Sequence, residues 1–213
     1  ETQKWDIQTS VMDASEDATC KTGSTTFVQG DLMDFESVLH FGRKVDVLTI
    51  EIENVNVEAL KVLQSEGVKV YPKPETLSII QSKIKQKQFY QSKGLPTAGF
   101  QSFNNLDELE RALENIEITY PFVWKKARFG YDGFGVKVIK SIADINGLPN
   151  EACLAESWVP FEKELAVVAA KNPSGETVAY PVVEMEFHPE ANQVEYVISP
   201  ARIEAATAQK ARQ

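Results

Sequence analysis

An open α/β sheet followed by an α+β lobe is the fold class this sequence predicts, on three observations. Up to residue 71, β-branched runs alternate with amphipathic stretches of helical length, which is the strand, helix, strand rhythm of a parallel sheet. Pro72-Lys73-Pro74 then interrupts that rhythm, since prolines cannot join a central strand and stiffen a crossing segment. Beyond it short strands outnumber helices, and the hairpin from Pro121 to Ile139 is punctuated by Gly130, Gly133 and Gly135. The expected domains are 1–73 and 74–213.

The elements follow in order. Ile7 to Met12 reads as a strand with no preceding turn or cap, so the N-terminus reads as cut, and Thr25 to Val28 is a second strand. Asp34 caps a helix through Gly42, and Val45 to Ile52 is a β-branched run suited to a buried parallel strand. A helix from Asn56 to Glu66 places Val57, Leu60 and Leu63 on one face, Gly67 ends it, and Val68 to Tyr71 is the next strand. In the second domain a helix runs from Lys83 to Lys93 and stops at Gly94, and Leu95 to Phe100 is extended. Leu106 to Ile116 is an amphipathic helix behind an Asn104/Asn105 cap, its stripe being Leu106, Leu109, Leu113 and Ile116. After the hairpin, Ala152 to Glu156, Glu164 to Ala170, Thr177 to Glu184 and Val194 to Ile198 read as strands, with a turn at Asn172 to Gly175. Ala205 begins a helix that Gln213 cuts short.

Composition excludes several functions. With 43% hydrophobic and 25% charged residues, 213 residues suffice for one large or two small cores. A net charge of −9, without a basic block, argues against nucleic acid as a partner, so an anionic ligand must be held by local cations. Cys20 and Cys153 suggest neither a disulfide framework nor a metal site, which suits a reducing cytoplasm. No apolar run is long enough to span a bilayer, so no membrane is expected.

Within the hairpin, a hydrophobic strand ends in Lys125 and Lys126 and runs into the glycine loop. Glycines allow positive φ and close backbone approach, so their amides can face anionic oxygens while a lysine adds charge. The loop matches neither the dinucleotide nor the Walker fingerprint, and read alone it equally suits a β-hairpin with solvated lysines. Glu51 and Glu53 stand at i, i+2 at the end of the buried Val45 to Ile52 strand, on the same face, where α/β sheets bind ligands, with Glu53 nearest the strand end the better candidate; they equally mark a strand emerging into water. Glu156, Glu162 and Glu164 flank Ser157 to Phe161, a segment able to offer backbone groups to an adenine and a carboxylate to ribose, or simply a charged rim. His40 and His188 are too isolated to suggest a metal or catalytic pair, and the sequence gives no ground for a Ser/His/Asp or Cys/His arrangement.

Seven segments in succession carry a resemblance: Thr49 to Asn56, Val70 to Leu77, Ile80 to Lys87, Leu95 to Ala98, Tyr131-Asp132-Gly133, Phe161 to Glu164 and Tyr180 to Glu184. Together they resemble the N5-carboxyaminoimidazole ribonucleotide synthetase family of the ATP-grasp superfamily. The resemblance implies an ATP-grasp fold, with an open-sheet pre-ATP-grasp domain ahead of the ATP-grasp lobe. It implies a ligase that uses ATP and Mg²⁺ to convert bicarbonate to carboxyphosphate and carboxylates 5-aminoimidazole ribonucleotide in purine synthesis, and commonly a homodimer. Another ATP-grasp carboxylate-amine ligase, or a silent nucleotide-binding fragment, is the alternative.

Carried over by position, the resemblance places ATP contacts at Lys83, Lys125, Gly130, Tyr131, Asp132, Gly133, Glu156, Ser157, Trp158, Val159 and Glu164. Of these, Lys83 and Lys125 are the cations, Glu156 to Val159 the hinge that receives adenine, and Glu164 the ribose carboxylate. It places the ribonucleotide at Tyr131, Asp132 and Glu53, and the metal carboxylates after Gln213, with no metal ligand in this chain. Phosphoryl transfer rests on positioning and charge neutralisation, which such a set supplies. The sequence departs from the family at Phe129 (usually Gly), Phe134 (usually Arg) and Phe187 (usually His, here displaced to His188), and it lacks the glycine-rich turn expected before Glu1. Without the later carboxylates, the 213-residue chain alone is expected to bind adenine nucleotide weakly and not to turn over.

Overall fold

Side-chain caps start the helices of the first half where the sequence puts them. Asp34 Oδ2 accepts from Ser37 N at 2.7 Å, Asn56 Oδ1 from Ala59 N at 3.0 Å and Ser82 Oγ from Lys85 N at 3.3 Å, each satisfying an amide the helix leaves open. A computed structural model describes residues 2–130, 135–188 and 193–213, which form two compact units. The first comprises 1–97, 127–129 and 151–154, and the second the remainder.

In the first unit, β1 (Ser10–Asp13) pairs in parallel with β2 (Thr26–Gln29), and α1 (Phe35–Gly42) follows. Next come β3 (Val47–Thr49), α2 (Val57–Ser65) and β4 (Lys69–Tyr71), a βαβ unit in which β3 and β4 are parallel. Leu60 and Leu63 of α2, fully buried, pack with Val38, Leu39 and Phe41 of α1, Leu48 of β3, Val70 of β4 and Leu77 into one core. Gly42 is what lets α1 approach α2: a Cβ there would lie 2.2 Å from Leu63 Cδ1. Two more helices, α3 (Pro74–Ile80) and α4 (Lys83–Ser92), complete the unit.

Two expectations change here. The Val45 to Ile52 strand contracts to three residues and is buried on one side only, with Leu48 at 7% and Val47 at 52% exposure. Its ladder ends where Ile50 N donates to Tyr71 O, and the chain then bends, with Gln81 Nε2 donating to the carbonyls of Glu53 at 2.7 Å and Val55 at 2.8 Å. Glu51 and Glu53 therefore lie in exposed bends, and the shared-face argument of a strand does not apply to them. The break at Pro72-Lys73-Pro74 is itself followed at once by a helix, because Pro74 occupies the first helical turn, where its missing N–H costs nothing.

In the second unit β5 (Phe100–Phe103) and α5 (Leu106–Glu114) precede the hairpin of β6 (Phe122–Lys126) and β7 (Val136–Ile139); β8 (Cys153–Ser157), which enters this unit from Ala155 on, completes a sheet ordered β5-β8-β6-β7. Asn105 caps α5, and Glu108 Oε2 accepts from Asn104 N at 2.8 Å, just ahead of the cap. Leu109 and Ala112 are buried, whereas Ile116 falls beyond the last turn at φ 59° and 77% exposure, so it leaves the expected stripe.

The remaining strands form smaller sheets. β9 (Glu164–Ala166), β12 (Val183–Phe187) and β13 (Val194–Ile198) order as β13-β12-β9, all antiparallel, and β10 (Ala169–Lys171) pairs with β11 (Thr177–Ala179) across the Asn172 to Gly175 turn. The two long strands expected at 164–170 and 177–184 are thus each broken in two. Pro181 has no N–H to give the ladder, and between the paired segments Val167 and Val168 face three residues, Tyr180, Pro181 and Val182. Helix α6 (Ala205–Ala211) ends the chain's described course, and no helix among the described residues is long and apolar enough to cross a membrane.

Candidate functional site

Alternation along β6 buries Phe122 and Trp124 on one face and turns Val123 and Lys125 to the other. On that second face Lys125 Nζ lies 2.9 Å from Glu156 Oε2 of β8. Glu156 is only 6% exposed, so its charge is tolerated because the ammonium is there. Lys126 points to the opposite side; its amide closes the hairpin by donating to Gly135 O at 2.8 Å. Gly135 has φ 79°, and a Cβ on it would stand 3.0 Å from Lys126 Cβ, so the hairpin closes tightly only with glycine at this position.

Next to the ion pair the sheet face becomes apolar. A cavity of about 360 Å³ is lined by Tyr120, Pro121, Val138, Lys140 and Trp158. Val138 is the cross-strand partner of Val123, and Trp158 lies two residues beyond Glu156, so cavity and ammonium share one side of the sheet. The hinge segment itself is exposed, with Trp158 at 46% and Val159 at 48%, and Ser157 N is anchored to Gly99 O at 2.8 Å. An aromatic, apolar recess beside a fixed cation suits a ligand with a flat ring at one end and negative charge at the other.

Glu164 opens β9 opposite Met185 of β12, on the face away from Glu184. Glu184 is 4% exposed and accepts from Lys163 Nζ at 2.8 Å, and from Arg202 at its amide (3.1 Å), Nε (3.3 Å) and Nη2 (2.9 Å). Arg202 also pairs with Glu186. The Arg202 guanidinium first, and Lys163 second, hold the Glu184 carboxyl down at about 2. This cluster borders an open cleft of about 740 Å³ that also includes Glu162, Leu165, Ile203, Glu204 and Thr207. Reading the sequence finds none of its pairings, because Lys163 and Glu184 meet only through strand register; the signal available was that both sit in family-like segments, Phe161 to Glu164 and Tyr180 to Glu184.

The other sites fall as follows. Lys83 is the first residue of α4, and its amide donates to Ala127 O at 2.9 Å. Gly130 is half-buried, while Tyr131, Asp132, Gly133 and Phe134 lie outside the described residues. Phe129 adopts φ 59°, a conformation that favours glycine, which accounts physically for the glycine expected there. Phe187 ends β12 opposite Val194, and His188 N donates to Gln193 O at 2.8 Å. Among the described residues no group of three or more His, Cys, Asp or Glu side chains is arranged to hold a metal ion.

Comparison with known proteins gives two family matches: the ribonucleotide synthetase preATP-grasp domain over residues 1–81 and the ATP-grasp domain over residues 88–213. A phosphoribosylaminoimidazole carboxylase of Candida glabrata is 34% identical over 97% of this chain and 37% of its own length. An N5-carboxyaminoimidazole ribonucleotide synthase of Synechocystis is 35% identical over 85% of this chain and 45% of its own. Among solved structures, the carboxyaminoimidazole ribonucleotide synthase of Aspergillus clavatus with ATP superposes with TM-score 0.86 at 32% identity, covering 99% of this chain and 56% of that one. The same enzyme with ADP and 5-aminoimidazole ribonucleotide gives 0.84 at 30% identity. The chain thus spans about 37–45% of the length of these curated relatives.

Proposed function

This chain belongs to the ATP-grasp family, and on that premise we propose that it serves an ATP-dependent ligase of the N5-carboxyaminoimidazole ribonucleotide synthase type. The proposed reaction carboxylates 5-aminoimidazole ribonucleotide with bicarbonate, by way of carboxyphosphate, in purine biosynthesis. The observation that carries the nucleotide part is the shared sheet face: Lys125, fixed by Glu156 at 2.9 Å, beside the cavity lined by Trp158 and Val138. The substrate part rests on the relatives, one of which is described with ADP and 5-aminoimidazole ribonucleotide.

In this reading the cavity and the Glu156 to Val159 hinge take the adenine, Glu164 takes the ribose hydroxyls, and Lys125 and Lys83 face the phosphates. Gly130, Tyr131, Asp132 and Gly133 supply the loop, and Glu53 joins Tyr131 and Asp132 at the ribonucleotide. Bound ATP supplies the phosphoryl group that activates bicarbonate. The lysines hold charge already in place when that group transfers, so little reorganisation is needed. Mg²⁺ fits no carboxylate group among the described residues, and the most buried carboxylate, Glu184, is saturated by Arg202 and Lys163. We therefore assign the ion to ligands outside the described residues and derive no step from it. We also propose a homodimeric, cytoplasmic enzyme with domains at 1–73 and 74–213.

The test of the nucleotide site compares Lys125→Met with Lys126→Met by calorimetric titration with ADP. Losing one charge-assisted contact at Lys125 weakens binding by about 1.5–3 kcal/mol, with Lys126→Met near the parent. Because Lys125→Met also removes an ion-pair partner of the buried Glu156 carboxylate, melting temperature is followed in parallel to confirm a folded variant. Equal losses from the two lysines would remove the assignment.

A further inference from the structure

We propose that the Lys163, Glu184 and Arg202 cluster is a register lock that decides on which face of β9 Glu164 emerges, making Glu184 a positioning residue for the ribose end of the nucleotide site; this rests on the functional reading above. The reason lies in the neighbouring ladders. β10 and β11 pair Ala169 with Ala179, whereas β9 and β12 pair Ala166 with Val183, so the register slips by one residue between them. Had the β10/β11 register simply continued, Ala166 would face Val182, Leu165 would face Val183 and Glu164 would face Glu184. A one-residue slip exchanges the faces of a strand, so Glu164 would then emerge on the Glu184 side. The observed register instead sets Glu164 opposite Met185 and Leu165 opposite Glu184.

The cluster favours that observed register in two ways. Lys163 immediately precedes Glu164, and its Nζ is held 2.8 Å from Glu184 Oε1, so the chain is tied at the point where it leaves the exposed hinge and enters β9. Glu184 is held in turn by the amide, Nε and Nη2 of Arg202, which follows β13 and is therefore fixed to the far side of the same sheet. In the slipped register two carboxylates would stand directly opposite each other, Glu164 against a Glu184 that is 4% exposed, a like-charge pairing that destabilises a ladder. Glu184 is buried while the side chains of Lys163 and Arg202 keep 40% and 56% exposure, so a register that parted them from Glu184 would leave a buried carboxylate uncompensated. Glu184 faces away from Glu164, so it does not touch a ribose bound there; it acts through the strand.

The test is the preference for ADP over 2′,3′-dideoxy-ADP, measured by calorimetry on the full gene product and its variants. The parent is expected to prefer ADP by about tenfold, as one charge-assisted hydrogen bond to ribose provides, and Glu164→Ala, which leaves no acceptor there, to abolish the preference. Glu184→Gln is expected to bring the ratio toward unity while the dideoxy nucleotide still binds, with Glu184→Asp restoring part of it. A general loss of structure would weaken both nucleotides together and leave the ratio alone. Should Glu184→Gln fail to fold, Lys163→Met, which leaves the Arg202 bonds in place, is expected to lower the ratio on its own. An unchanged ratio in a folded Glu184→Gln or Lys163→Met protein would overturn the register lock alone. A parent that binds no ADP, or a Glu164→Ala protein that keeps the preference, would overturn the functional reading and the lock together.

Discussion

Phe129, like Ile116, is a bulky residue at odds with its backbone, and it is the one at the edge of the glycine loop. At φ 59° an L side chain crowds its own carbonyl, at about 1–2 kcal/mol, and the ring is 51% exposed and so recovers little by burial. Comparing Phe129→Ala with Phe129→Gly isolates that conformation: glycine should be more stable than alanine by about 1 kcal/mol in urea unfolding, the reverse of the usual order. Alanine equal to or better than glycine would mean that the backbone carries no strain there. Glu184 gives a second prediction, in pH. Its carboxyl is lowered from 4.5 to about 2 in the folded protein, so the unfolded chain binds the proton more readily. Its contribution is therefore complete above about pH 4.5 and lost as pH falls toward about 2. The stability gap between the parent and Glu184→Gln should close across that window, and a gap constant from pH 6 to pH 2 would deny the coupling to Arg202 and Lys163.

Among the elements, the contact of α1 with α2 depends on one missing methyl. Gly42→Ala puts a Cβ within 2.2 Å of Leu63 Cδ1, inside a core where Leu60 and Leu63 are fully buried. Overpacking of that kind should destabilise by about 1–3 kcal/mol, visible as a lower urea midpoint with an unchanged slope; a neutral result would mean that the helices can separate freely. How much of the fold is legible beforehand follows from the same local physics. Asp34, Asn56 and Asn105 each mark a helix start, since a cap is decided within four residues. Strand lengths are less legible: Gln81 bends the chain after β3 from 28 residues away, and the slip between β9/β12 and β10/β11 depends on which strands pair. Helix α3 hides behind its own proline, which reads equally as a break or a first turn. The lysine at the end of β6 is legible from alternation, but its partner Glu156 lies 31 residues on, and the Lys163, Glu184 and Arg202 cluster has no local pattern at all.

For the molecule as a whole, a net charge of −9 sets the terms on which it can handle the proposed substrates, all of them anions. The net charge of this chain gives such anions no overall attraction, so selection falls to fixed local cations, of which Lys125 pairs with a buried carboxylate. We propose that this arrangement serves bicarbonate-dependent carboxylation of an amine at the expense of ATP. The most direct measurement is the rate of ADP release by the full gene product with 5-aminoimidazole ribonucleotide and bicarbonate supplied together and each withheld in turn. Fast release is expected only when both are present, with ADP and the carboxylated ribonucleotide formed one for one. Release that is indifferent to bicarbonate, or that requires a different amine, would contradict it.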